Sequence, residues 1–196
     1  DKILAARSDA EIFIADTAKA IVKQMQIAET TRDDSAKISS LSISEAAEQA
    51  VAMKGSVAVG QQIFSKANCV ACHTISEDEV QKGPFLGNIA KTYKRPDLAI
   101  AILEPSKTIA QGFVTNSILT LDGVVLTGFV TNEQSDRVTI RDQQGKETTI
   151  LKDEIEVRQT SPISVMPEGV MKDYTTHELA SLLDYLESLA AANAKE

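Results

Sequence analysis

Both cysteines of this 196-residue chain stand in one five-residue stretch, CVACH, which holds Cys69, Cys72 and His73. One of the two histidines is therefore there as well. Several chemistries use such a cluster. A redox Cys-x-x-Cys pair usually opens a helix in a βαβ setting, and no strand pattern precedes Cys69. A structural zinc site needs four ligands, usually thiolates and imidazoles. Only His73 and His177 remain after the cysteines, and His73 directly follows a ligand, which makes shared tetrahedral coordination awkward. Covalent haem is the third reading. Two thiols with two residues between them can each add to a vinyl group as a thioether, and the next residue, His73, falls under the iron. The bland reading is a buried thiol pair beside an incidental histidine. Haem accounts best for a motif that takes every cysteine in the chain. It also answers a puzzle of composition. The chain has no Trp and only 4% aromatic residues, and a large apolar macrocycle can fill a core that lacks big rings.

An iron held by His73 has a second axial position. The candidates are Met25, Met53, Met166, Met171 and His177. A Met is more often core filler than ligand. Met25 and Met53 fall on apolar helix faces, where packing suffices. Met171 lies near a helix start and fits either role. His177 falls in the first turn of a capped helix, where a solvated side chain is the simple reading. Met166 differs, because it lies in SPISVMPEG between Pro162 and Pro167. Prolines on both sides stiffen the backbone, so the loop can present a weak thioether ligand without a large ordering cost. Met166 is the expected second ligand. A His73/Met166 pair raises the potential and fills both axial sites. That is the chemistry of electron transfer.

The elements that must position these residues fall into four regions. In 1–55, Ser8 and Glu11 have capping-box spacing, and so do Ser42 and Glu45. Two helices are expected there, joined by the polar stretch 30–40. In 56–111, Ser56 caps a helix through VAVGQQIFSKA, KGPFLGN is a loop, and PDLAIAILE is a short helix with Pro96 near its start. The region 112–160 changes to period two, with Asp122-Gly123 as a hairpin signal and five short strands. In 161–196, Thr175 and Glu178 form a capping box, and Leu179, Leu182, Leu183, Leu186 and Leu189 mark one helix face. Strands flanked by helices read as a β subdomain inserted into a helical one. The expected fold class is therefore α+β: a mainly helical domain over 56–196, with a small antiparallel β-sheet or barrel inserted at 112–160 and an N-terminal helical pair at 1–55.

Composition bounds the rest. Apolar residues make up 43% of the chain, enough for a buried core. No apolar run approaches the roughly 20 residues of a membrane span. The net charge of −8 argues against nucleic acid and permits docking to a basic partner. The chain begins with Asp, which reads as a processed or excised fragment.

Gly60, Phe64, CVACH, KGPFLGNI, a later Met-Pro and a terminal helix with Tyr185 together resemble class I c-type cytochromes. More specifically, 57–190 resembles the planctomycete-type haem-binding domain, a monohaem cytochrome c interrupted by a β segment. The matching stretches are GQQIFSKANCVACH, ILEPSKTIAQGF, LDGVVLTGFV, VTIRDQQGKETTI and SVMPEGVM. The resemblance implies one haem c attached at Cys69 and Cys72, with His73 proximal and Met166 distal. It implies that the Pro84 carbonyl receives the proximal imidazole N–H, and that Gly60 and Phe64 pack near Tyr185. Tyr93, Lys94 and Arg95 stand where they could meet a haem propionate. The implied role is electron transfer, not an enzyme's, with a dehydrogenase as donor or a cytochrome or oxidase as acceptor. Covalent attachment implies assembly outside the cytoplasm, so a periplasmic or equivalent location. Two alternatives are a haem enzyme or gas or redox sensor with a labile distal Met, and a β insert that docks a partner.

Overall fold

The structure is a computed structural model that describes residues 33–192. The chain divides into a unit Asp1–Asp34 and a unit Ser35–Glu196. The helix expected after Ser8, and Met25 with it, lie outside the described residues. The second helix of the expected pair is α1 (Ile43–Ala52). It starts as its sequence requires. Ser42 Oγ accepts the Glu45 N–H at 3.3 Å, and Glu45 Oε2 accepts the Ser42 N–H at 2.9 Å. Its buried face is Ala46, Ala47 and Ala50. That face packs on α3 (Arg95–Leu103) and α4 (Thr176–Ala192). Its alanine face thus joins the same buried core as the helices that follow it.

The remaining helix, α2 (Val57–Lys66), crosses α4 at very close range. Gly60 sets the approach. A Cβ there would lie 2.0 Å from the Ser181 carbonyl oxygen and 2.7 Å from Tyr185 Cβ, so no side chain fits. One turn on, the Phe64 and Tyr185 rings pack with centroids 5.5 Å apart. α4 carries its own reciprocal cap between Thr175 and Glu178. Its Leu179, Leu182, Leu183 and Leu186 face the core with Ile63, Phe64, Leu98 and Met171.

Arg95 ties the helices together. Its Nη1 donates to Asp184 Oδ1 at 2.6 Å and to Glu187 Oε2 at 2.7 Å. Its Nη2 donates to the carbonyls of Met53 at 3.0 Å and Ala180 at 3.2 Å. A guanidinium can serve several planar acceptors at once. The propionate role considered for Arg95 is thus set aside, because its fork is already engaged by α1, α4 and two carboxylates.

Strands β1 (Thr115–Thr120), β2 (Val125–Glu133), β3 (Arg137–Arg141), β4 (Glu147–Leu151) and β5 (Ile155–Thr160) form one antiparallel sheet, ordered β4-β3-β2-β1-β5. β4 and β5 lie at opposite edges, yet only the 3-10 turn Lys152–Glu154 joins them. A flat sheet cannot be closed by so short a link, so this one must curl toward a barrel. Register shifts at Leu119/Thr120 and Val130/Asn132 supply extra twist. Inside the curl, Ile118, Val138, Ile140 and Ile150 form a second core, separate from the helical one. Glu133 spans the opening, with Lys152 at 2.9 Å and Arg158 at 3.1 Å. The Asp122-Gly123 pair sits at the tip of the β1–β2 hairpin, within a loop running from Leu121 to Val124. Helix and sheet are both substantial, so the unit is mixed. The expectation of a mainly helical domain holds for the layer around α4 only. Among the described residues, no helix is long and apolar enough to cross a membrane.

Candidate haem site

The CVACH segment follows α2 through a sharp break. Ala67 closes the helix on the Ile63 carbonyl at 2.8 Å, and Asn68 then takes a left-handed conformation with φ 61°. Asn tolerates that region better than most residues. The chain next enters the 3-10 turn Cys69–Ala71. The N–H groups of Cys72 and His73 both reach the Cys69 carbonyl, at 3.3 and 2.9 Å. The turn places the two thiols differently. Cys69 packs against the helical core, while Cys72 is exposed. Burial pushes the Cys69 thiol above its ordinary range. The two cysteines form no disulfide.

His73 is held from behind. Its Nδ1 donates to the Pro84 carbonyl at 2.8 Å. That hydrogen bond fixes the tautomer with Nε2 as the free lone pair, the form a metal needs. Burial lowers the imidazole pKa, and the Pro84 contact works in the opposite direction. The neutral ligand form is favoured. Pro84 is itself fixed by its loop, because Leu86 N–H donates to the Thr74 carbonyl at 2.9 Å.

Two cavities adjoin the turn. One of about 220 Å³ has a mixed lining, with Phe64, Val70, Ile75 and Tyr185 apolar and Gln61, Ser65, His73 and Glu79 polar. The other, about 560 Å³, is bounded by Val70, Cys72, Thr74 and Val80 on one side and by Gln144, Gly145 and Lys146 on the other. Its volume lies in the range of small-molecule sites, roughly 300–1,000 Å³. Thr74 Oγ1 is buried with no partner among the described residues. Unpaired thiols, an oriented imidazole, apolar side chains such as Phe64, Val70 and Ile75 in the walls, and a spare hydroxyl fit a covalent haem. The zinc reading does not gain ligands. Among the described residues, no group of three or more His, Cys, Asp or Glu side chains is gathered to hold an ion.

The structure brings Cys69, Cys72, His73 and Pro84 together in one turn and its supporting loop. Met166 lies between β5 and α4 and lines neither cavity. Its loop is ordered by serines: Met166 N–H donates to Ser164 Oγ at 3.1 Å, and Ser164 N–H to Ser106 Oγ at 3.2 Å. The other candidates separate clearly. Met171 is 1% exposed and belongs to the helical core, and Met53 packs against the same core. His177 lies in the first turn of α4 and donates its backbone N–H to Ser35 Oγ at 3.2 Å. Sequence reasoning missed Thr74 and the Gln144–Lys146 turn as cavity walls. Thr74 next to His73 was visible. The turn lies some seventy positions downstream, and only the sheet's curl returns it to Cys72.

No curated protein matches the chain. Residues 57–140 match the family model Cytochrome c. The match opens at the first residue of α2, ends within β3, and contains Cys69, Cys72, His73 and Pro84 but not Met166. It supports a c-type cytochrome domain in this chain, and the cofactor it implies is a covalently bound haem c with its iron.

Proposed function

We propose that the protein is a monohaem electron-transfer module of the planctomycete-type haem-binding kind, with His73 and Met166 as axial ligands. One observation carries the reading: two unpaired thiols, one a turn before and one directly before an imidazole whose Nδ1 is committed to Pro84 and whose Nε2 is free. In this account Cys69 and Cys72 anchor the haem by thioether bonds, His73 ligates, and Pro84 sets the ring's orientation and basicity. When bound, such a haem cycles between ferric and ferrous iron and so supplies one-electron chemistry. Met166 is drawn in by the stiff Pro162–Pro167 segment, which limits the ordering cost of a thioether ligand. With His73 and Met166 both holding the iron, small molecules would be kept off it. The partner is a redox protein, a dehydrogenase as donor or a cytochrome or oxidase as acceptor, met outside the cytoplasm in the periplasm or its equivalent. Carbon monoxide tests the reading. The ferrous protein is expected to bind it slowly or not at all, and rapid binding would contradict two filled axial sites.

A second reading has a specific observation in its favour. Met166 lines neither cavity beside the CVACH turn. A thioether outside those walls would be a weakly held distal ligand, and a haem enzyme or a gas or redox sensor would use that. High-spin ferric haem in the resting protein is the outcome that selects it.

A further inference from the structure

The loop that supports His73 is held at three points, and one of them belongs to the inserted sheet. Pro84 receives His73 Nδ1 at 2.8 Å, and Leu86 N–H is fixed on the Thr74 carbonyl at 2.9 Å. The third hold is Arg141, the last residue of β3. Its Nη1 donates to the Gln81 carbonyl at 3.0 Å, only three residues before Pro84. Arg141 is itself aimed by the strand opposite. Its Nε and Nη2 reach Glu147 Oε1 at 3.2 and 2.7 Å, and the register pairs these two residues across β3 and β4. One planar fork therefore serves a carboxylate and a carbonyl together in a fixed geometry that a flexible Lys ammonium does not preset.

The tip of the same hairpin rests on the loop. Gly145 has φ +86°, and a Cβ on it would come within 2.9 Å of Val80 Cγ1. The tip is shaped in advance. Asp142 Oδ1 accepts the N–H groups of Gln144 and Lys146, both at 2.9 Å. Between the hairpin and the CVACH turn lies the 560 Å³ cavity, so its walls come from both regions.

We infer that the β3–β4 hairpin is a clamp on the loop 81–86, and that Arg141 is a positioning residue for His73. The inference rests on the proposed role of His73 as haem ligand. Without the Arg141 contact, Gln81 is free to move and the Pro84 carbonyl drifts from Nδ1. A weaker hydrogen bond makes the imidazole less basic and favours the ferric form less.

The test uses the full-length holoprotein with Arg141→Ala, Arg141→Lys and, as a control in the same strand, Arg137→Ala. Arg137 is exposed and pairs with its neighbour Asp136, away from the loop. Two quantities are read: the exchange rate of the Leu86 amide and the reduction potential. Arg141→Ala is expected to speed exchange roughly three- to tenfold, the equivalent of one lost hydrogen bond. It is expected to shift the reduction equilibrium roughly threefold toward the ferrous form, about 28 mV at 59 mV per tenfold for one electron. Arg141→Lys falls between Ala and wild type, and Arg137→Ala moves neither. Faster exchange with an unchanged potential would overturn the positioning role. No change in either quantity, or equal changes with Arg137→Ala, would overturn the clamp. Failure of the wild-type protein to hold a covalent haem would instead refute the proposed function, while the exchange rates would still report on the clamp.

Discussion

The helical layer and the inserted sheet hold themselves together by different means. The helices share one continuous core around α4, with Leu179, Leu183 and Ala180 fully buried and Arg95 bound at both ends of its fork. The sheet's own core cluster is four aliphatics, Ile118, Val138, Ile140 and Ile150, and its curl is closed by ion pairs at Glu133 that stand largely in water. CVACH grows from the helical side, on the end of α2. The cavity wall opposite Cys72 comes from the sheet. The region with the larger core therefore carries CVACH, and the region with the smaller core supplies part of the cavity wall beside it. This division teaches that an insert far from a motif in sequence can still belong to its site.

The comparison can be broken most sharply in the cores. Leu183→Ala should cost about 3–5 kcal/mol, because a fully buried Leu in a shared helical core leaves a cavity that cannot collapse. Ile118→Ala should cost less globally and act within the sheet. Denaturant melts with amide exchange check this. The His73 amide should lose protection with Leu183→Ala and keep it with Ile118→Ala. If both variants expose it equally, the two regions form one cooperative unit.

Arg95→Ala comes next. It leaves Asp184 and several carbonyls without their donor. Loss of one partner of a buried pair costs about 3–5 kcal/mol, and partial solvent access here reduces that to about 2–4. Urea midpoints of Arg95→Ala and Arg95→Met measure it. Arg95→Met should recover part of the loss through packing.

Gly60→Ala opposes two effects. Alanine gains about 1 kcal/mol of helix propensity over glycine. The added Cβ would press on the Ser181 carbonyl, and such overpacking costs about 1–3 kcal/mol. The clash wins because backbone, not a flexible tip, lies in the way. A lower Tm for Gly60→Ala sharpens the claim that α2 and α4 are held at contact. A higher Tm would show that the helices separate freely.

The smallest effect belongs to the sheet's closure. Hydrogen bonds from Lys152 and Arg158 hold the Glu133 carboxyl below its usual pKa. A depressed carboxylate pKa contributes stability that is present above the unfolded value near 4.5 and lost as pH falls through the folded value. Glu133→Gln should therefore cost under about 1 kcal/mol at neutral pH, in keeping with exposed pairs. It should also flatten the loss of sheet stability below pH 4.5. Thermal melts of wild type and variant across that range give the comparison.

Local signals in the sequence located what they encode. The capping spacings at Ser42 and Thr175 mark real helix starts, because both halves of each reciprocal cap lie within four residues. The leucine face of α4 and the five strands follow from period alone. Cys69, Cys72, His73 and Pro84 lie within sixteen residues, and loop chemistry brings them together. What was hidden is non-local. Arg95 reads as a loop cation near the haem motif, and only the folded position of Asp184 and Glu187 reveals its structural work. Arg141 and Gly145 read as ordinary strand and turn residues. Their approach to Gln81 and Val80 depends on the curl of the sheet, which no window of sequence contains.

The most direct measurement is the visible spectrum of the purified ferric protein, wild type beside Met166→Ala. The account predicts a weak long-wavelength band from a sulfur–iron(III) bond in the wild type and its loss in the variant. A wild-type protein that lacks the band and shows high-spin iron would contradict the His73/Met166 pair and leave the distal position open.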